Sequence, residues 1–319
     1  TLHILSDFGF PSYHLSGRYR YKEMDPNVWN SICEEMLNMI FSLHRPKAFV
    51  FDGAFPYRGM LNAIRAQEDS MLKVWMRRGS IRKGSRNIPV DAINHFHAIV
   101  RPGDSVGIDS EDELDHGASL IRCNPILLMD PEEMDNRGTL RKRMGIPDGS
   151  LVCYVQLGAG KINDINSEIS MVMKALSKHD NVYTVIGESM LGERIATSFS
   201  RVRILRDYPN FRYFRDFDFA VMAGGYNSFH EAIHASLPTI CLPNMNTGRD
   251  DQLARALVAE DAGCMVVIRN KKEHIIQGAI NRIVESEVRA MMKNNFQLLK
   301  RENGAEQIAS WVVEQSISN

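Results

Sequence analysis

Residues 224 to 238, GGYNSFHEAIHASLP, set two glycines directly before a run of helical periodicity that carries a glutamate. The preceding FAVMAG, from Phe219, is mostly apolar and reads as a buried strand stopped by the Gly224-Gly225 turn. After the turn, Asn227 or Ser228 can cap a helix whose apolar positions Phe229, Ile233 and Leu237 recur every four residues, and Pro238 ends it before the next apolar run, TICLP. Such a strand, turn, helix, strand unit aims backbone N–H groups and the positive end of a helix dipole beyond the strand's C-terminal edge, where phosphate is the common occupant. Ser228 and Glu231 equally fit the S-x-x-E capping box, in which the two side chains satisfy the helix's own N–H groups and no ligand is needed.

Two other loops bear on that choice. LVCYVQLGAG (151 to 160) reads as a strand closing on a glycine-rich loop with Gly158, Ala159 and Gly160, and PNMNTGRDDQ follows the strand 239 to 242 with Asp250, Asp251 and Gln252. In an open parallel sheet all three loops share the carboxyl edge, where ligands bind. A capping box predicts nothing about the other two loops. A nucleotide-sugar site predicts phosphate-binding glycines, a ribose-binding carboxylate and polar groups for sugar hydroxyls, and all three are present.

The elements that must position these loops alternate along the chain. DPNVWNSICEEMLNMIFSLHRP (25 to 46) has Asp25 as N-cap, Pro26 at the first helical position and apolar Val28, Ile32, Met36, Met39 and Leu43 at helical spacing. AFVFDG (48 to 53), MLKVWM (71 to 76) and AIVRPGD read as strands, with a short helix in GMLNAIRA. After the acidic stretch GIDSEDELDHG (107 to 117) and a helix LRKRMG, the pattern breaks at Ile146-Pro147-Asp148-Gly149 and then restarts. The expected fold is α/β: two Rossmann-like domains with parallel sheets, the first over 1–147, the second over 148–290, and C-terminal helices over 291–319 packing back across both.

Bulk composition agrees with two domains in 319 residues, 44% hydrophobic and 24% charged. A formal net charge of −1 provides no field for nucleic acid. The five cysteines are odd in number and widely spaced, with no zinc spacing, which suits buried thiols in a reducing cytoplasm. No apolar stretch approaches the length of a membrane span, and peripheral contact with a membrane surface stays open.

AGGYNSFHEAIHASLPTICLP followed by DDQLARA resembles the donor-binding motif of the GT-B glycosyltransferases, above all the UDP-glucosyl and glucuronosyl transferases and the UDP-N-acetylglucosamine transferase of peptidoglycan synthesis. The match spans about 40 residues, with weaker similarity from Leu151 to the C-terminus and around FDGAFPYRGM. The resemblance implies that Gly224, Gly225, Asn227 and Ser228 hold the diphosphate, that Glu231 takes both ribose hydroxyls, and that Asp251 and Gln252 contact the donor sugar. It also implies that Gly158 to Gly160 line the diphosphate and acceptor cleft, and that no metal or other cofactor is required. Two departures stand out. Ala223 occupies a position where these families carry histidine or arginine, which removes one phosphate contact. The glycine-rich loop that follows the family's first strand and often holds its general base has no counterpart before TLHILSDFG, so the first strand and helix of the N-terminal domain, and the base with them, are expected upstream of Thr1.

Four further groups invite chemistry. Asp52, at a strand end on the acceptor side, could deprotonate a hydroxyl, although Asp-Gly is also an ordinary turn. Lys73, Arg77, Arg78, Arg82, Lys83 and Arg86 form a basic cluster that could bind a phosphate-bearing acceptor through Arg77 and Arg78, or be solvated loop charge. Asp216-Phe217-Asp218 is a D-x-D triplet, but it precedes its strand, which argues against a metal-nucleotide role. His230 and His234 lie four apart on a helix; with no third ligand, helix surface is the expected reading over zinc.

The function these residues support is inverting, metal-independent transfer of a sugar from a nucleotide sugar, UDP-linked, to a hydroxyl of a glycan, lipid-linked or small-molecule acceptor. A nucleotide-sugar hydrolase of the same fold and a non-catalytic nucleotide-sugar-binding protein use the same donor half.

Overall fold

The structure, a computed structural model, describes residues 2–17, 24–67, 71–77, 90–104, 118–158, 165–188, 199–247 and 250–318. In chain order the elements are α1 (Leu2–Asp7), α2 (Pro26–His44), β1 (Ala48–Asp52), α3 (Arg58–Arg65), β2 (Leu72–Met76), α4 (Val90–Ile93), β3 (Ala98–Pro102), β4 (Ser119–Cys123), α5 (Thr139–Met144), β5 (Leu151–Gln156) and α6 (Ile165–Leu176). They continue with β6 (Val182–Gly187), β7 (Val202–Leu205), β8 (Phe219–Met222), α7 (Tyr226–His234), β9 (Thr239–Cys241), α8 (Gln252–Asp261), β10 (Met265–Val267), α9 (Glu273–Ile283), α10 (Ser286–Asn295) and α11 (Ala305–Ser318).

The strands form two sheets, and every pairing is parallel: β1-β2-β3-β4, and β10-β9-β8-β5-β6-β7. The second sheet is buried on both faces, so its strands are apolar throughout and alternate between two cores. Val152, Tyr154, Ala220 and Met222 face one, and Cys153, Val155, Phe219 and Val221 face the other. The chain builds outward from β5 through β6 to β7, then returns to lay β8 on the other side of β5. The carboxyl ends of β5 and β8 therefore flank a topological switch point, where adjacent loops turn opposite ways and leave a crevice. Gly158 follows one strand and Gly224 the other.

In the first sheet, Trp75 and Ile99 pack against α2 and α3 through Trp29, Cys33, Phe41, Met60 and Ile64. The α2 boundaries agree with the caps read from sequence, and Asp25 accepts from the Asn27 backbone N–H at 2.6 Å. Its face does not follow the stripe singled out from sequence. Val28, Ile32, Met39 and Leu43 are exposed, while Trp29, Cys33 and Phe41 are buried. Both stripes have helical spacing, and the one carrying the two aromatic rings, with more apolar area to remove from water, is the one buried.

The opposite face of the first sheet is covered from far along the chain. Ile308 is buried with Leu72, Val74 and Val100, and Trp311 and Val312 of α11 pack beside it. Ile308→Ala is expected to cost about 2 to 3 kcal/mol, the lower part of the range for truncating a buried aliphatic side chain. Urea unfolding of the full chain measures it.

Candidate functional site

The turn after β8 is held by backbone: Ala223 N–H donates to the Gln156 carbonyl at 3.1 Å. Gly225 is then the N-cap of α7, at φ −61° and ψ 145°, with no capping side chain. The helix thus starts one or two residues before the expected cap. Asn227 and Ser228 sit inside its first turn, Glu231 lies a turn further on, and the capping box is not formed. Ser228 Oγ instead donates to Gln156 Oε1 at 3.1 Å, tying α7 to the end of β5. The two glycines differ in kind. A Cβ on Gly224 would stand 3.0 Å from the Gln252 carbonyl oxygen and 3.3 Å from Cys241 Sγ, tight enough that these neighbours would have to give by a few tenths of an ångström. A Cβ on Gly225 would meet nothing within 4 Å, and its φ is ordinary. Nothing in the described protein requires glycine at that position, as would follow if the space beside it is for a ligand.

Glu231 faces a cavity of about 450 Å³ between the sheets. The ends of β1, β2 and β3 contribute Asp52, Met76 and Pro102; Ile126 to Leu128, Tyr208, Tyr226, Asn227 and Ala305 complete the lining. Burial pushes the Glu231 carboxyl up to about 7, and its charge in turn raises the phenols of Tyr154 and Tyr208 beyond what their own burial does. A carboxyl so placed lies a turn inside α7 and does not cap it.

Beside the turn lies a buried charge cluster. Arg255 of α8 is fully buried, and its Nε donates to Asp104 Oδ1 and Oδ2 at 3.0 and 2.9 Å. Its Nη2 donates to Asp104 Oδ2 at 2.8 Å and Asp250 Oδ1 at 2.6 Å, and its Nη1 to the Gly224 carbonyl at 2.7 Å. Burial alone would raise the Asp104 carboxyl, but the His230 ring and the Arg255 guanidinium beside it hold it well below the usual carboxylate range. The Tyr226 hydroxyl donates to the Gly103 carbonyl at 2.8 Å. The exit of β3 is thereby fastened to α7 and α8 of the other sheet.

Sequence reading missed Asp104 and Arg255. No local pattern marks Arg255 in QLARALVAED; its burial with Gln252, Ala256 and Ala259 is seen only in the structure.

The remaining candidates fall in several places. Asp251 caps α8, accepting from the Ala254 N–H at 3.0 Å, and Gln252 Oε1 accepts from the Asn244 N–H at 2.9 Å. Gly158 is exposed at φ +102°, a left-handed conformation that favours glycine. Ala159, Gly160, Arg78, Arg82, Lys83 and Arg86 lie outside the described residues. Arg77 and Lys73 are buried, which corrects the alternative of solvated loop charge for these two; the Arg77 guanidinium lies 5.9 Å from the Trp75 ring centroid. The D-x-D carboxylates are structural. Asp216 accepts from the N–H groups of Gly138 and Leu140, while Asp218 accepts from Arg141 at 2.7 Å and the Val152 N–H at 2.8 Å. His230 and His234 are not on the helix surface as expected: both are buried, and burial pushes His234 down to about 4. Among the described residues no group of three or more His, Cys, Asp or Glu side chains could hold a metal ion, and no helix is long and apolar enough to cross a membrane.

No protein-family model matches the chain, and no curated protein sequence does. Solved structures do. The glycotransferase of kitacinnamycin superposes with a TM-score of 0.60 at 15% identity, covering 91% of this chain and 82% of that one. MurG of Acinetobacter baumannii gives 0.60 at 10% identity, covering 98% and 88%. MnaA of S. aureus, solved with UDP, gives 0.60 at 13% identity, covering 91% and 80%. The chain has the GT-B fold, with two parallel Rossmann-like sheets, as the sequence resemblance implies.

The two glycines should separate experimentally. Gly224→Ala is expected to destabilise by about 1 to 3 kcal/mol through overpacking, and Gly225→Ala to stay within about 0.5 kcal/mol of the parent. Denaturant midpoints of the two variants measure the difference.

Proposed function

We propose that the protein transfers a sugar from a UDP-linked donor to a hydroxyl acceptor with inversion. The observation that carries the reading is Glu231: a carboxyl raised by burial, facing a cavity of about 450 Å³, one turn inside a helix whose N-terminus has no capping side chain. In this reading the N–H groups of Gly225 and the first turn of α7, with Ser228, bind the diphosphate, and Glu231 accepts from both ribose hydroxyls. Asp251 and Gln252 meet the donor sugar, and the loop of Gly158, Ala159 and Gly160 lines the diphosphate.

The acceptor enters over Met76, Pro102 and Leu127, which line the cavity. Asp52 takes the hydroxyl proton as the oxygen attacks the anomeric carbon from the face opposite the diphosphate. The sugar–phosphate bond breaks, its electron pair leaves on UDP, and the α7 dipole with its N–H groups stabilises that charge. The proposed route uses no metal. With water in place of the acceptor, the same arrangement would hydrolyse the donor; analysis of products with and without an alcohol acceptor distinguishes the two.

Calorimetry with UDP on the full chain tests the donor site, with a Kd between micromolar and millimolar expected. Flat titrations with UDP, GDP and TDP alike would remove the reading. Glu231→Gln should weaken UDP roughly tenfold or more at pH 8, because an amide accepts the ribose hydroxyls without charge assistance. Ribose binding favours the carboxylate, so parent affinity should fall as pH drops from 8 to 6, through the pKa of about 7. The variant should show only the titration of UDP itself. Stability moves the opposite way. A carboxyl raised from 4.5 to about 7 in the fold costs stability as pH rises through that interval. Glu231→Gln is therefore expected to leave Tm unchanged near pH 4 and to raise it at pH 8.

A further inference from the structure

Arg255 reaches three segments at once. Its carboxylate partners Asp104 and Asp250 account for its burial, but neither explains why Nη1 is directed at the Gly224 carbonyl, 2.7 Å away. That contact has a geometric consequence. Across a planar trans peptide the carbonyl of one residue and the N–H of the next point in opposite directions. Fixing the Gly224 oxygen on Arg255 therefore fixes the Gly225 N–H on the side away from it. Between two glycines such a peptide plane can rotate by half a turn at little steric cost, since neither residue has a Cβ to oppose it. The guanidinium opposes it instead.

The guanidinium is itself immobilised. Its carbon lies 5.6 and 5.9 Å from the ring centroids of Tyr226 and Phe229, and its Nε and Nη2 form a fork with Asp104. Asp104 belongs to the other half of the molecule: it follows β3 of the first sheet by two residues, and its side chain is fully enclosed. His230 Nε2 stands 3.4 Å from its Oδ1.

We propose that Arg255, held by Asp104, is a positioning residue that locks the Gly224-Gly225 peptide with the Gly225 N–H presented to the ligand's diphosphate. Through Asp104 the first sheet controls an amide of the second. The diphosphate as ligand rests on the function proposed above; the peptide lock does not. Lysine at 255 would keep the charge but lacks the planar fork of three nitrogens that spans Asp104, Asp250 and Gly224.

The sequence permits a direct test, because Gly224-Gly225 is the only Gly-Gly pair in the chain. Protein labelled with carbonyl-13C glycine and 15N glycine has one directly bonded 13C–15N peptide, and so one correlation in a carbonyl–nitrogen spectrum. The parent should show one sharp signal. In Arg255→Lys and in Asp104→Asn it should shift and broaden or split as the peptide samples both orientations, and UDP should bind roughly tenfold more weakly. Glu231→Gln is the control: weaker UDP binding with the signal unmoved. An unchanged signal in the folded variants would overturn the lock, and if one variant fails to fold the other decides. General loosening of the fold is separated by the remaining glycine amide signals, which should stay in place. If the parent fails to bind UDP, the donor reading falls while the peptide signal still judges the lock.

Discussion

A guanidinium with no water around it must find its partners within the protein, and the carboxylates that satisfy Arg255 come from two loops 146 residues apart in the chain, at Asp104 and Asp250. Removing one member of such a buried pair leaves an uncompensated charge and typically costs about 3 to 5 kcal/mol, whereas an intact pair adds little net stability over apolar packing. Its effect is therefore one of specification. The exit of β3, the start of α8 and the turn after β8 must arrive together, and alternatives that leave any of them displaced strand a charge. Tyr226 reinforces the same junction with an uncharged bond to Gly103.

The crevice follows from topology, since β5 and β8 are neighbours whose onward connections diverge. Parallel strands deliver their carboxyl ends to one edge, so a glycine turn, a helix N-terminus and a buried carboxyl converge without long-range design of each contact. The first sheet closes the space by bringing the ends of β1 to β3 to the opposite wall. Enclosure in this cavity raises the cost of charge on Glu231, which is what pushes its carboxyl up.

What was legible in the sequence is what is local. Strand runs such as LVCYVQ and VYTVIG, the Pro26 start of α2 and the glycine turn at 224 each carry their signal within a few residues, and they appear in the structure close to where periodicity puts them. Two local rules competed at Ser228 and Glu231. The capping box lost because the helix starts at Tyr226, so that Glu231 lies beyond reach of its N-terminus. The face of α2 was illegible because two apolar stripes have the same period. The burial of His230 and the Asp104 pairing depend on chain segments more than a hundred residues apart, to which windowed pattern reading is blind.

The covering of the first sheet by α11 has a consequence for synthesis. Leu72, Val74 and Val100 emerge from the ribosome long before Ile308, Trp311 and Val312. At about 5–20 residues per second, the interval is roughly 10 to 40 seconds. Throughout it, one apolar face of an early sheet waits without its lid while the whole second sheet is being made. A stop codon placed before α11 would make that waiting state permanent, with the aliphatic face of Leu72, Val74 and Val100 left without Ile308.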